Sequence, residues 1–232
     1  MSADTVTGVL LVAVPIAFNA AFLELGRAFD YPDILRREPD EILRRFAAGG
    51  SGLVLRWHAL LLSAVAMLPL VAMVAVVLEP SPALAVSSVV VGSAAALVQS
   101  LGLARWPYAM PELARRYVAA PEGPAGAATR TTVETLFATI HRLLGVGIGE
   151  HLGYLLTGGW TLLVAAGVLA TSVLPGWLGL IGIPIGILLV LGSLEFAGTN
   201  EARGWKLAGA IVPIAYLAWS AWLIALGVAL LV

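Results

Sequence analysis

Trp57–Leu103 reads WHALLLSAVAMLPLVAMVAVVL-EPSP-ALAVSSVVVGSAAALVQSLGL, and this stretch decides the class of fold. Two apolar runs, Trp57–Leu78 and Ala83–Leu103, are separated only by the connection Glu79–Pro82. Each run has about 20 residues, which is the length an α-helix needs to cross the hydrocarbon core of a bilayer. Because the connection is so short, the two helices must lie side by side and antiparallel. The stretch therefore predicts a hairpin of two membrane-spanning helices.

The same apolar pattern extends over the whole chain of 232 residues. Hydrophobic residues make up 60% of the chain and charged residues 12%, and the mean hydropathy is +0.96. A soluble domain contains about 45–50% apolar and about 25% charged residues, so the composition excludes that class. We predict an all-α, polytopic transmembrane helical bundle in which residues 1–232 form a single integral membrane domain. Six spanning helices are expected at 6–25, 57–78, 83–103, 149–172, 177–196 and 207–232.

All 13 basic residues lie in three of the connections between these runs. They are Arg27, Arg36, Arg37, Arg44, Arg45 and Arg56 in the first connection, Arg105, Arg115, Arg116, Arg130 and Arg142 in the third, and Arg203 and Lys206 in the fifth. Lys and Arg are retained on the cytoplasmic side of a membrane. We therefore predict a multi-pass protein of the bacterial cytoplasmic (inner) membrane, with the Arg-rich loops cytoplasmic and the N- and C-termini outside.

Two of the Arg-rich connections contain amphipathic patterns. Thr131–Gly145 repeats apolar residues at helical spacing, which predicts an amphipathic helix next to a membrane entry, lying at the interface with His141 on its polar face. Asp33–Phe46 has a shorter pattern interrupted by Pro39, a residue that favours the first turn of a new helix. Ala119–Ala128 is rich in Pro, Gly and Ala, and we expect it to be flexible.

Polar and ionisable residues lie near the predicted cytoplasmic ends of the spanning helices. Burying an ionisable group in a bilayer is costly unless the group is paired or hydrated, so each one is a candidate for function. Since these residues belong to one side of the membrane, we expect them to converge into one polar layer. The candidates for ligand or proton binding are Glu24, His58, Glu150, His151, Tyr154 and Glu195, with Arg56 and Gln99 nearby, and no catalytic residue is predicted.

Two other interpretations of these residues remain open. In one, Glu150 and Glu195 only pair with Arg56 or Arg142 and extend to water at the interface. In the other, His58 and His151 bind a divalent metal or a haem b from two helices at the same depth, although no histidine spacing typical of a metal site occurs. We expect no cofactor, with haem b or a divalent metal as the alternative. The absence of cysteine excludes thiolate metal sites and iron–sulfur clusters.

Two segments carry a family resemblance. LRWHALLL at Leu55–Leu62 and LPGWLGLIG at Leu174–Gly182 resemble segments of a bacterial family of small six-helix integral membrane proteins that is catalogued as a domain of unknown function. The resemblance implies the six-helix topology. It carries no catalytic residue to transfer.

No residue pattern in the chain identifies a reaction. The predicted function is therefore that of a non-enzymatic small transporter, ligand sensor or accessory membrane subunit with a cytoplasmic-side polar site. The alternative is a membrane-embedded redox protein or enzyme that uses His58 and His151 as ligands. The expected partners are the lipid bilayer and either other membrane proteins or further copies of the chain, and no nucleic acid is expected.

Overall fold

The computed structural model describes residues 2–198 and 205–232, and every regular element among these residues is helical. The α-helices are α1 (Ala3–Phe29), α2 (Pro39–Val65), α3 (Met67–Leu78), α4 (Pro82–Tyr108), α5 (Met110–Val118), α6 (Pro124–Ile140), α7 (Gly153–Ala170), α8 (Gly176–Ser193) and α9 (Lys206–Leu231). Short 3₁₀ turns cover Asp33–Arg36 and Leu194–Phe196, and a π-helical segment, His141–Leu152, joins α6 to α7. Arg203 lies outside the described residues.

Six helical units among the described residues are long and apolar enough to cross a membrane. They are Ala3–Phe29, Pro39–Leu78, Pro82–Val118, Pro124–Ala170, Gly176–Phe196 and Lys206–Leu231. The six spanning helices predicted from the sequence are therefore confirmed. The hairpins α3–α4 and α7–α8 are also confirmed, because only a few residues join their helices.

Contacts between helix ends show which connections share one end of the bundle. Near the start of α1, a Cβ added to Gly8 would lie 2.9 Å from the carbonyl oxygen of Gly227, which is close to the end of α9. The α3–α4 connection reaches the same end, because Pro80 packs beside Gly167 near the end of α7. Both chain termini and the two hairpin connections therefore lie together.

The opposite end of the bundle collects the connections that contain the basic residues. Arg36, which follows α1, pairs with Glu195 after α8. The Tyr117 hydroxyl of α5 lies within hydrogen-bond distance of Asp40 at the start of α2 and of Glu134 of α6, and its single O–H can donate to either carboxylate. We call this end, residues 27–56, 102–151 and 193–198, the arginine end.

The amphipathic stretch Thr131–Gly145 is helical as predicted, but it is continuous with its neighbours. It belongs to one helical unit that begins at Pro124 and continues through the π-helical segment into α7. Val133 and Phe137 of its apolar stripe are buried in the core of the arginine end, whereas Leu136 and Leu143 are exposed. Its place at the membrane interface stays a prediction. The flexible stretch is also shorter than expected, because Pro124 already opens α6.

Pro39 opens a helix as predicted, but that helix is not confined to the interface. α2 runs from Pro39 towards the membrane with a sharp kink at Gly50, whose φ of 55° and ψ of −152° are not helical. A second break at Ala66 separates α2 from α3. It lies three residues before Pro69, which has no N–H to continue the helical hydrogen bonds.

Candidate functional site

Arg105 is a buried cation at the arginine end. The predicted spanning helix stopped at Leu103, but α4 continues to Tyr108, so Arg105 lies inside a helix rather than in a loop. Only 7% of the residue is exposed. Its Nη1 donates to the carbonyl oxygen of Gly102, and its guanidinium carbon lies 5.2 Å from the ring centroid of Trp106. Its Nε is buried with no hydrogen-bond partner among the described residues, so this cation has an unused donor.

The π-helical segment meets Arg105 and its neighbour Gly102 with glycine residues. The π-helical segment has Gly145 and Gly149 on the side that meets α4. A Cβ on Gly145 would lie 2.7 Å from Nη2 of Arg105, and a Cβ on Gly102 would lie 2.5 Å from the Cα of Gly149. Both distances are shorter than van der Waals contact, so only glycine permits this approach. Stretches of π-helix are rare and often occur at functional sites.

Glu150 is a partly buried carboxylate of the same region. It lies in the last part of the π-helical segment and interacts electrostatically with Arg105, Glu195 and Arg36. It makes no ion-pair contact with Arg105, and no described residue donates a hydrogen bond to its carboxylate. Arg105 and Glu150 therefore interact electrostatically at a distance longer than an ion-pair contact. Burying charges without direct contact is unfavourable unless another group lies between them.

Glu195 and His151 make the contacts between the end of α8 and the other segments of the arginine end. The Glu195 carboxylate is 3.3 Å from Nη2 of Arg36, and the side chain of Glu195 is 9% exposed whereas that of Arg36 is 73% exposed. Nδ1 of His151 lies 2.9 Å from the carbonyl oxygen of Ser193. The ion pair therefore joins an arginine in contact with solvent to the buried carboxylate of Glu195.

Two tyrosines complete the surroundings of Glu150. Tyr31, in the turn after α1, packs edge-on against Trp57 with ring centroids 5.0 Å apart. Burial raises the pKa of the Tyr31 phenol well above its usual range, and the charge of Glu150 adds to the rise. Tyr31 is therefore a neutral hydroxyl at any physiological pH. Tyr154, one turn after Glu150, packs edge-on against Phe196 with ring centroids 5.5 Å apart.

A family assignment follows from the sequence as a whole. Residues 6–227 match the family described as Domain of unknown function (DUF4386), which is nearly the full length of the chain. The chain belongs to the DUF4386 family. No curated protein and no solved structure matches it. The resemblance to a family of unknown function is thus confirmed, and the DUF4386 assignment adds no activity to it.

In this DUF4386 protein, four of the six candidate residues lie in one region. Glu150 and His151 lie on the π-helical segment, Tyr154 at the start of α7 and Glu195 just after α8. Electrostatic interactions link Glu150 to Glu195 and to Tyr154. Of the two carboxylates, Glu195 takes Arg36 as its ion-pair partner, an arginine that the sequence analysis had not paired with it.

The other two candidates lie elsewhere. Glu24 is half exposed on α1 and pairs with Arg27 at 2.9 Å and more loosely with Arg56 at 3.8 Å. Nδ1 of His58 lies 3.1 Å from the carbonyl oxygen of Val54, and its ring packs against the exposed Tyr108. Glu24 is exposed and His58 is partly buried, and the contacts described for them are with Arg27, Arg56, Val54 and Tyr108 rather than with the other four candidates.

The two histidines proposed as cofactor ligands have different neighbours. Nδ1 of His58 faces a carbonyl of its own helix, whereas Nδ1 of His151 faces a carbonyl of α8. In both rings Nε2 is the nitrogen left for a ligand. Within residues 2–198 and 205–232, no group of three or more His, Cys, Asp or Glu side chains is arranged to hold a metal ion.

Three residues of the region were missed by the sequence analysis: Arg105, Tyr31 and His141. The ring of His141 stacks on Phe137 with centroids 5.4 Å apart, and its Nδ1 is buried without a partner in the described part of the chain, so its predicted place on a polar face was wrong. One sequence signal for Arg105 existed. Gly145 lies against the guanidinium, and Gly149, one turn later, lies against Gly102 of α4; this glycine spacing indicated a close helix crossing, although not which side chain fills it.

Proposed function

We propose that this chain is a non-enzymatic multi-pass protein of the bacterial cytoplasmic membrane that binds a small polar solute between Arg105 and Glu150, for sensing or transport. The proposal rests on the electrostatic interaction between Arg105, which is buried, and Glu150, which is partly buried, without an ion-pair contact between them. Ionisable residues inside a membrane bundle are rare and mark functional sites by default. A pair kept only for stability would be in contact, because contact recovers part of the cost of desolvation.

The chemistry of the two side chains defines the class of solute. Arg105 offers N–H donors in a fixed plane, which suits a carboxylate or another acceptor group. Glu150 accepts hydrogen bonds and favours an ammonium or another donor group. An amphoteric molecule that carries both an acidic and an amino group satisfies both charges at once. The neutral hydroxyl of Tyr31 supplies a further donor or acceptor beside them.

The solute would enter from the arginine end. The distribution of the basic residues favours this end as the cytoplasmic side, with both termini outside. The exposed Arg36 and its buried partner Glu195 lead from solvent towards Glu150. The opposite half of the bundle offers no comparable polar route among the described residues, because its core is filled by Leu11, Leu70, Val74, Leu78, Val164 and Leu226.

Binding to the protein in lipid nanodiscs tests the proposal. The stacked Trp57 and Trp106, whose ring centroids are 4.4 Å apart, lie beside Arg105 and provide an intrinsic fluorescence signal. We expect a saturable fluorescence change with an amphoteric probe from a panel that includes glycine and glutamate. Acetate and methylammonium, which carry one charge each, should bind far more weakly.

Three variants assign the binding to the pair. Glu150→Gln and Arg105→Gln should each abolish the saturable change. Glu24→Gln is the matched control, because it removes an acidic charge from the same end of the bundle at a half-exposed position. If Glu150→Gln binds the probe as the wild type does, the solute is held elsewhere and the proposal is wrong.

A further inference from the structure

A small cavity lies in the middle of the bundle, away from Arg105 and Glu150. Its walls come from α1, α2, α3, α4, α7 and α9, and its volume is about 20 Å³, measured as the space open to the centre of a water molecule. Its polar edge is formed by Ser63, Gln99, Thr157, Trp160, Tyr216 and Trp219. Such a volume is too small for an organic ligand, but roughly 10–15 Å³ of such space suffices for one water molecule.

One buried donor at this cavity has no partner. Trp160 is 1% exposed, and its Nε1 is buried without a hydrogen-bond acceptor among the described residues. The edge of the indole that carries Nε1 faces Gly92, another residue of the cavity wall, since a Cβ added there would lie 2.7 Å from Nε1. A buried donor without an acceptor costs about 1–3 kcal/mol, so this group requires one.

An unused acceptor lies on the same cavity. Gln99 donates through Nε2 to Oγ1 of Thr157 at 2.6 Å. This bond fixes the side-chain amide, and in the described part of the chain no group donates to its Oε1. Trp160 and Gln99 thus offer one free donor and one free acceptor around a space of the size of a water molecule.

We propose that this cavity is an internal water site in which one water molecule accepts a hydrogen bond from Trp160 Nε1 and donates to Gln99 Oε1. The site goes beyond the proposed solute site and does not depend on it. Two further hydrogen bonds join polar side chains in the bundle interior: Trp219 Nε1 donates to Thr161 Oγ1, and Asn19 Nδ2 donates to Ser220 Oγ, each at 2.9 Å.

Hydroxyl-radical footprinting of the protein in nanodiscs tests the water site, because radicals formed from a bound water oxidise the side chains beside it. Met67 lines the cavity, whereas Met73 of the same helix does not. Both methionines are partly buried, so Met73 is a matched internal control. We expect Met67 to be converted to the sulfoxide severalfold faster than Met73.

Two variants connect the oxidation to the proposed hydrogen bonds. Gln99→Leu keeps a similar volume but removes the acceptor, and it should lower the rate at Met67 to that at Met73. Asn19→Leu removes a polar side chain that does not line the cavity and should leave the Met67 rate unchanged. Equal rates at Met67 and Met73 in the wild type would show a dry cavity, and an unchanged rate in Gln99→Leu would equally overturn the site. Neither result would affect solute binding at Arg105 and Glu150.

Discussion

The guanidinium of Arg105 lies directly against the backbone of Gly145, so closely that a Cβ at position 145 would come within 2.7 Å of Nη2 and 2.8 Å of Cζ. This contact packs a buried charge of α4 onto the π-helical segment that carries Glu150. The position of the cation and the position of the carboxylate are therefore set by the same helix crossing.

Gly145→Ala should displace Arg105 and weaken the protein. Overlap of this kind in a packed interior costs about 1–3 kcal/mol, and we expect a lower thermal unfolding midpoint together with loss of solute binding. Gly147→Ala is the matched control in the same segment, because its Cβ would meet only a carbonyl oxygen at 3.6 Å. It should be neutral or slightly stabilising, since alanine favours a helix over glycine by about 1 kcal/mol. Equal midpoints for the two variants would contradict the close contact at Gly145.

The ion pair of Arg36 and Glu195 should respond asymmetrically to mutation. Arg36→Gln leaves a carboxylate that is 9% exposed without its partner, which costs about 1–3 kcal/mol. Glu195→Gln leaves an arginine that is 73% exposed and remains hydrated, so the loss should stay below about 1 kcal/mol. Unfolding midpoints measured in the same detergent compare the two variants. A larger loss in Glu195→Gln would show that the buried carboxylate does not depend on Arg36.

Tyr117→Phe should loosen the helices at the arginine end without affecting the spanning region. The Tyr117 hydroxyl lies 2.7 Å from Oδ1 of Asp40 and 2.6 Å from Oε1 of Glu134, so it joins α5 to α2 and α6. Removing it should cost about 1–2 kcal/mol and increase amide hydrogen exchange in the first turns of α2 and in α6. Tyr108→Phe, at a residue that is 69% exposed, serves as the control. Unchanged exchange in Tyr117→Phe would show that these bonds do not hold the three helices together.

The orientation of the protein is open to a direct test, because the chain contains no cysteine. Ser81→Cys places a single thiol in the α3–α4 connection, and Glu122→Cys places one between α5 and α6. If the Arg-rich end is cytoplasmic, a membrane-impermeant maleimide should label Ser81→Cys in intact cells. Glu122→Cys should be labelled only after permeabilisation. The opposite pattern would reverse the proposed orientation.

Much of the fold was predictable because spanning helices are determined by a local property. A run of about 20 apolar residues must form a helix in a bilayer, since every backbone polar group has to be satisfied within the segment. Trp57–Leu78 and Ala83–Leu103 were identified on that basis. The same local reasoning identified the helix at Thr131–Gly145 but not its surroundings, because an apolar stripe does not reveal whether lipid or protein covers it. In the folded chain Val133 and Phe137 are covered by protein.

The site was predictable only in part. Glu150, His151 and Tyr154 lie within two turns of one another along the sequence, and their proximity to one another follows from the helix alone. The different surroundings of Glu24 and His58 depend on how α1 and α2 rotate against their neighbours. That rotation is set by packing between distant segments.

The sequence by itself determined the membrane class and the six crossings, and it indicated which connections share a side, because apolar length and the distribution of basic residues act segment by segment. Only the tertiary structure decided that Arg105 is buried and that it interacts electrostatically with Glu150 without an ion-pair contact. It also decided that Trp160 and Gln99 share a cavity. Those relationships depend on close helix crossings at Gly102, Gly145 and Gly149, and a glycine reveals how near its neighbour lies only once the helices are packed.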